Sequence, residues 1–414
     1  MIENRLVSPN RRSEQYPRFS EEEFERRYEA VRNWMDSNDL DVLLIYGNGG
    51  LLGGNSTNIH YLSNYSGMFM TYMVFFADPD RSPTLYCGLS NHLQFIAEIS
   101  AVDDIRLMIP DPPEQLADRI AEAGLTGGNT GIVTLDPRYK YSIPYEHHVE
   151  LEDRLEGGLR DETGSFVNEV HSVKSDEEIE WIEEAAEYCD LGMEALAEAA
   201  EPGVKEYELE AALKNAYLKE GGEASFTFIN SAPMVGAESG EAITWKEPSS
   251  RALESGDIVS TEFSASHHGY SSQIHRPIAV GRSPTEEYEE MWDLALETYE
   301  NMLDALEPGN TSKDVAEATA PIEDSEYKIY DVMLHGFGNA YIHPFIGTPS
   351  SNYWPGGDDP LTENWEFKEN MTVVIQPNLC NEAETKCFQL GTTVAIREDG
   401  AEVLQEYPVE FVQA

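Results

Sequence analysis

The sequence predicts an α/β domain followed by an α+β domain, and three observations carry that reading. At 414 residues the chain is too long for one compact core of ordinary size. Its first ~165 residues interleave short β-rich apolar segments with helical patterns. In the remainder, helical patterns and antiparallel-type strands segregate from one another.

From about Phe19 to Asn38, FSEEEFERRYEAVRNWMDSN has the apolar spacing of an amphipathic helix, with Ser20 as N-cap and Glu23 three residues on to complete a capping box. DVLLIYG, YMVFFAD and TLYCG read as strands, and QLADRIAEAGL reads as a helix packed between or after them. The stretch EGGLRDETGSFVNEVHSVKSD is polar, glycine-rich and poor in apolar periodicity, which marks a linker and a boundary near residue 165. The predicted domains are therefore residues 1–165 and 166–414. In the second, a long helix starts at about Asp176 and another follows the Pro202-Gly203 turn. Strands are expected around Ile258 to Phe263 and Gly269 to Val280, a third helix from about Thr285 to Leu306, and closing strands around Thr372 to Pro377 and Gln389 to Arg397. A helix after a Pro-Gly turn occurs twice, in EPGVKEYELEAAL and LEPGNTSKDVAEA, which hints at a duplicated half.

Charge excludes several functions. With 77 acidic residues against 27 basic ones, a formal charge of -50 repels nucleic acid. The acids are spread along helical segments, not gathered in a tail, and read as a solvated surface of the kind that high salt screens in salt-loving organisms. Apolar runs are too short to span a bilayer. The opening MIENRLVSPNRRSEQYPRF is broken by charges where a signal peptide needs an unbroken apolar core, so the expected compartment is the cytoplasm. Cys87, Cys189, Cys380 and Cys387 include no C-x-x-C pair and are expected to be buried free thiols.

Several strings, in order along nearly the whole chain, resemble the pita-bread superfamily of creatinase, prolidase, aminopeptidase P and methionine aminopeptidase. TNIHYLSNYSG resembles its N-terminal domain, and VHSVKSDEEIEWIEEAAEYCDLGMEAL resembles the entry into its C-terminal domain. ALESGDIVSTEFSASHHGYSSQIHRPIAVG, LHGFGNAYIHPFIG, ENMTVVIQP and TTVAIREDGAEVL follow in the family's order. The resemblance implies a creatinase/prolidase-like α/β N-terminal domain, a pita-bread C-terminal domain of α+β class, and a homodimer.

It also implies five metal ligands: two aspartates, one histidine and two glutamates holding a pair of divalent ions that activate water. This chain departs from that set. Glu262 stands at the first aspartate position and Gln273, eleven residues on, at the second. His335 matches the histidine, while Gln376 and Gly391 stand at the two glutamate positions. One carboxylate of four survives, so no metal ligand is assigned and no cofactor is expected, the alternative being one or two divalent cations such as Mn, Zn, Fe or Co. His343 matches the family's substrate-side histidine, and Trp245 or a neighbour takes the place of another.

Alternate residues of a strand share a face, so His275 is expected to point with Gln273 toward the cavity of Glu262. His335, His343 and Glu262 are the candidate catalytic groups, and His275, Gln273, Gln376 and Trp245 the candidate substrate-binding groups. Three imidazoles, one carboxylate and two amides suit general acid-base chemistry or the grip of a polar ligand. His267 and His268 fall at a hairpin turn where exposure is expected, and Tyr341, Trp354 and Trp365 are candidates for an apolar wall. The leading expectation is a metal-independent hydrolase of a C–N bond in a small amide, amidine or dipeptide-like compound, the route creatinase takes within the family. The alternatives are an Xaa-Pro-type metallopeptidase with a rearranged site, and a non-catalytic pita-bread domain that binds a peptide or metabolite.

Overall fold

The computed structural model describes residues 15–49, 56–67, 69–134, 142–236, 246–347 and 365–414. Cα proximity divides the chain into two compact units, Met1–His171 and Ser172–Ala414.

In the first unit the helices are α1 (Glu21–Ser37), α2 (Thr57–Ser63), α3 (Leu93–Ile99), α4 (Pro112–Glu122), α5 (Tyr145–Arg154) and α6 (Thr163–Val170). Its strands are β1 (Val42–Asn48), β2 (Met70–Phe76), β3 (Thr84–Cys87), β4 (Asp104–Leu107), β5 (Thr130–Val133) and β6 (Leu159–Asp161). They form one mixed sheet in the order β4-β3-β2-β1-β5-β6. Ser20 caps α1 by accepting the Glu23 N–H at 3.0 Å. The Glu23 carboxylate pairs with Arg26 and with Arg27, which is fully buried beneath the rings of Phe19 and Tyr61.

The linker expected around residue 165 is instead folded. Leu159 and Asp161 lie in β6, and Phe166 and Val167 are buried on α6, with Phe166 edge-on to Trp34 at 5.2 Å. Two apolar residues on one helical face sufficed where the surrounding glycines hid the period.

The second unit contains α7 (Asp176–Ala199), α8 (Glu206–Leu218), α9 (Glu286–Ala305), α10 (Ser312–Glu317) and α11 (Ala320–Glu323). Its strands are β7 (Glu223–Pro233), β8 (Asp257–His267), β9 (Tyr270–Ile274), β10 (Ile278–Ala279), β11 (Tyr327–Ile329), β12 (Leu334–Gly336), β13 (Ile342–Ile346), β14 (Thr372–Ile375), β15 (Leu379–Asn381), β16 (Cys387–Phe388), β17 (Thr392–Arg397), β18 (Gly400–Val403) and β19 (Val412–Gln413). One sheet runs β19-β10-β8-β7 with β9 also on β8; a second runs β13-β12-β14-β17-β18; β11-β15-β16 form a third. Each large sheet has its own helices. Cys189, Met193 and Leu196 of α7 and Leu209, Leu213 and Tyr217 of α8 share a core with β8, while Met291, Tyr299 and Met302 of α9 share one with β12, β14 and β17.

Two sequence expectations change here. Cys380 and Cys387 form a disulfide, because β15 and β16 pair these two residues directly across a hairpin, whereas Cys87 and Cys189 are free and buried. His267 and His268 are half-buried, with Trp181 edge-on to both rings at 5.3 and 6.0 Å.

The acids of the long helices face water, among them Glu21, Glu22 and Glu25 on α1 and Glu286, Glu289, Glu290 and Glu300 on α9. A surface with this charge repels itself across any gap shorter than the Debye length, which falls from about 10 Å at 0.1 M salt to about 3 Å at 1 M. The melting temperature is expected to rise by on the order of 10 °C between 0.1 M and molar potassium chloride. A melting curve indifferent to salt would refute this reading of the surface.

Candidate functional site

The candidate site is assembled from neighbouring strands of the second unit. Strand β8 is buried from Asp257 to Ser266, and its antiparallel partner β9 places Gln273 opposite Ser264, two residues from Glu262 and on the same face. The chain then continues to His275, whose backbone exchanges hydrogen bonds with Gly391 at 3.0 and 3.2 Å. Gln376 follows β14 directly, and His335 lies on β12 opposite Val374 of β14. Glu262, Gln273, His275, His335 and Gln376 are all buried, at 6% exposure or less.

Gln273 is the hub. Its side-chain nitrogen lies 3.1 Å from Glu262 Oε1, 2.6 Å from His275 Nε2 and 3.2 Å from Gln376 Oε1. Gln376 Nε2 donates to the Val332 carbonyl at 2.6 Å, which turns its oxygen toward Gln273. The second oxygen of Glu262 accepts from Gln389 Nε2 at 2.5 Å, and Ser260 holds the Gln389 oxygen at 3.1 Å. Both carboxylate oxygens are thus engaged by neutral amides, which satisfies a charge that burial alone would penalise.

His275 is neutral. Burial, the nearby His335 imidazole and the Arg276 guanidinium push its pKa down to about 3, burial being the largest cause, against an opposing contribution from Asn378. Arg276 is itself fully buried and donates to the carbonyls of His275, Gly391 and Pro408 at 2.7 to 2.8 Å. It pins the bridge at which His275 meets Gly391.

Gly391 is tightly enclosed. A Cβ there would lie 2.9 Å from the Ile375 carbonyl, 3.1 Å from Gln376 Cβ and 3.1 Å from His275 Cγ. A side chain at 391 would meet the Ile375 carbonyl first, and Gln376 and the His275 ring next.

The other candidates sit on an aromatic run. The His335 ring meets Tyr341 at 4.2 Å, Tyr341 meets Phe345 at 4.8 Å, Phe345 meets His343 at 4.7 Å, and His343 stacks with Trp365 at 6.1 Å. Trp245 and Trp354 lie outside the described residues. Sequence reading missed Gln389, Ser260, Asn378 and Arg276. Gln389 sits two residues before Gly391, and its same-face spacing was the available signal.

Among the described residues, no three His, Cys, Asp or Glu side chains are grouped so as to hold a metal ion. In chemical terms the cluster offers one carboxylate, neutral imidazole nitrogen and amide oxygens.

Comparison with known proteins follows the same outline. Residues 180–398 match the model of metallopeptidase family M24, and residues 27–173 match the creatinase/prolidase N-terminal domain. An Xaa-Pro dipeptidase from Pyrococcus furiosus is 24% identical over 388 residues, covering 93% of this chain and 99% of the relative. A creatinase from Bacillus sp. is 24% identical over 419 residues, covering 95% and 92%. The crystal structure of the prolidase from Pyrococcus horikoshii OT3 superposes with a TM-score of 0.75 at 22% identity, covering 94% of this chain and 100% of that one. The chain belongs to metallopeptidase family M24, within the pita-bread superfamily of creatinase- and prolidase-like hydrolases that act on C–N bonds.

Proposed function

We propose that this protein hydrolyses a C–N bond in a small amide, amidine or dipeptide-like compound without a metal ion. In this reading His335 or His343 serves as general acid or base, Glu262 positions the substrate, and Gln273, His275 and Gln376 contact it. The observation that carries the reading is the state of Glu262, whose two oxygens are both held by glutamine amides. A pair of divalent ions needs several anionic oxygens to offset its charge, and the cluster supplies one carboxylate. The residues present do not fit a two-metal centre.

Hydrolysis without metal then rests on the chain's own groups. A neutral imidazole accepts a proton from water or passes one to the leaving nitrogen, and the aromatic run from Tyr341 to Trp365 excludes bulk water from the reacting bond. We further propose a homodimer, on family resemblance.

Turnover of small amides and Xaa-Pro dipeptides by the purified protein is expected to stay within about twofold in excess chelator, far from the several-kcal/mol loss that follows removal of a catalytic Lewis acid. Activity abolished by chelator and restored by manganese or zinc overturns the proposal. The Xaa-Pro dipeptidase relatives favour a second reading, a metallopeptidase with a rearranged site. Elemental analysis finding one or two bound ions per chain would support it. A ligand that raises the melting temperature and is never turned over would favour a binding domain.

A further inference from the structure

The Cys380–Cys387 disulfide lies on the same two strands as three residues of the candidate site. Ile375 of β14 faces Thr392 of β17; four residues further along each strand Leu379 of β15 faces Phe388 of β16, and the next pair is Cys380 and Cys387. The register is unbroken, so the disulfide closes a single long hairpin that runs from Thr372 to Arg397. Between its two ladders the strands part. The Gln376 N–H donates to the Met333 carbonyl and the Asn378 N–H to the Gln376 carbonyl, while Gly391 exchanges hydrogen bonds with His275. Among the described residues no backbone hydrogen bond joins 376–378 to 389–391.

This gap carries the amides of the cluster. Gln376 Oε1 accepts from Gln273 at 3.2 Å, and a side-chain hydrogen bond joins Asn378 to His275. Gln389 bridges two residues of β8, accepting from Ser260 at 3.1 Å and donating to Glu262 at 2.5 Å. Each contact reaches a residue outside the hairpin, so its geometry depends on how two unjoined stretches of strand are held apart. On one side of the gap β14 and β17 have four residue pairs. On the other, β15 and β16 have two, followed by the Asn381–Lys386 backbone hydrogen bond at 2.9 Å. So short a ladder is weak by itself, and a covalent cross-link removes the open alternatives. Both sulfurs are buried, with Tyr330 packed against them.

We infer that the Cys380–Cys387 disulfide is a positioning element of the site, fixing the hairpin so that Gln389 stays on Glu262 and Gln376 on Gln273. The inference rests on the reading that this cluster is the substrate site, and adds that the site's order depends on the redox state of this pair. Opening by a dithiol balances: the Cys380–Cys387 S–S bond takes up two electrons and two protons to give two thiols, and the reductant's thiols supply them as its own S–S bond forms.

Thiol titration of the unfolded protein is expected to find two reactive thiols, Cys87 and Cys189, before reduction and four after it. Hydrogen exchange read by mass spectrometry then compares oxidised wild type, wild type in dithiothreitol, and a Cys380→Ser/Cys387→Ser double variant. Peptides spanning 372–380, 387–395 and 257–267 are expected to exchange at least about tenfold faster in the reduced and variant proteins, with peptides of α8 within about twofold. The melting temperature is expected to fall by less than about 10 °C, because the closed loop is short. Steady-state kinetics with alanyl-proline separates positioning from stability. Glu262, Gln273 and Gln376 are read as substrate contacts, so KM is expected to rise at least about fivefold with kcat within about twofold; loss of folded protein would lower kcat and leave KM unchanged. The double variant, assayed without reductant, separates opening of the bond from any capture of metal by the dithiol.

Four thiols before reduction, exchange that rises uniformly across the second unit, or exchange unchanged in both opened forms overturns the inference, as does turnover whose KM is unmoved in both. Exchange requires no turnover. A localised rise in a protein that hydrolyses none of the small amides or dipeptides would defeat the proposed function alone, and chelator-resistant turnover with exchange unchanged would defeat this inference alone.

Discussion

Between pH 7 and pH 3 the wild-type protein is expected to lose about 5 kcal/mol more stability than a His275→Gln variant, a difference that urea unfolding at a series of pH values would measure. In the unfolded chain an imidazole takes up its proton near pH 6.5; in the fold His275 resists protonation until about pH 3. Through that window the unfolded state binds one more proton. Stability contributed by the neutral ring is complete above about pH 6.5, declines as pH falls, and is gone below about pH 3.

Burial is the main cause of the shift, Asn378 opposes it through a side-chain hydrogen bond, and the other groups facing the ring add to it. Gln273 can only donate to Nε2, Arg276 and His335 oppose added positive charge, and the Glu262 carboxylate is already held by Gln273 and Gln389. Burial raises Asp331 and Asp190 to about 6, and each gives a dependence of opposite sign between about pH 6 and pH 3.8. For that reason the difference between wild type and variant is the quantity to measure, because the aspartates contribute equally to both. Parallel stability profiles for the two proteins would contradict the assigned state of His275.

Gly336→Ala is expected to destabilise the second unit by about 3 kcal/mol and to lower catalytic efficiency by about 100-fold. A Cβ at this position would lie 2.4 Å from the His343 carbonyl oxygen and 2.8 Å from that of Ile342. Both are backbone atoms of β13, the strand paired with β12, and neither can turn aside as a flexible side chain does. The pairing register shifts between His335 and Gly336, so the strands already depart from regular spacing there. Forcing them apart separates His335 from the aromatic run that leads through Tyr341 and Phe345 to His343. Urea unfolding and steady-state kinetics read the two effects separately. A variant with wild-type stability and activity would show that this approach of strands is not required.

The fold was largely legible because periodicity and turn chemistry act locally. The long helix expected from about Asp176 is α7, opened by a Ser175–Glu178 capping box, and the glycine after Pro202 precedes α8. What stayed hidden depends on which residues meet across strands. Cys380 and Cys387 are seven apart, and nothing in that interval announces that β15 and β16 place them opposite one another. The site divides in the same way. Glu262, Gln273, His275 and Gln376 were identifiable from strand alternation and family resemblance, and the structure brings them within hydrogen-bonding reach. Gln389 and Asn378 escaped because a neutral amide carries no charge to mark it, and the same-face spacing of Gln389 from Gly391 was the one available signal; only contact reveals that Gln389 donates to a carboxylate.

The enclosure of Gly391 bears on how such a site can arise by mutation. A side chain at 391 would crowd the Ile375 carbonyl, Gln376 and the ring at 275 together, so what position 391 accepts depends on all three neighbours. Among relatives of this protein, a side chain at 391 is expected to come with altered neighbours at 275 or 376.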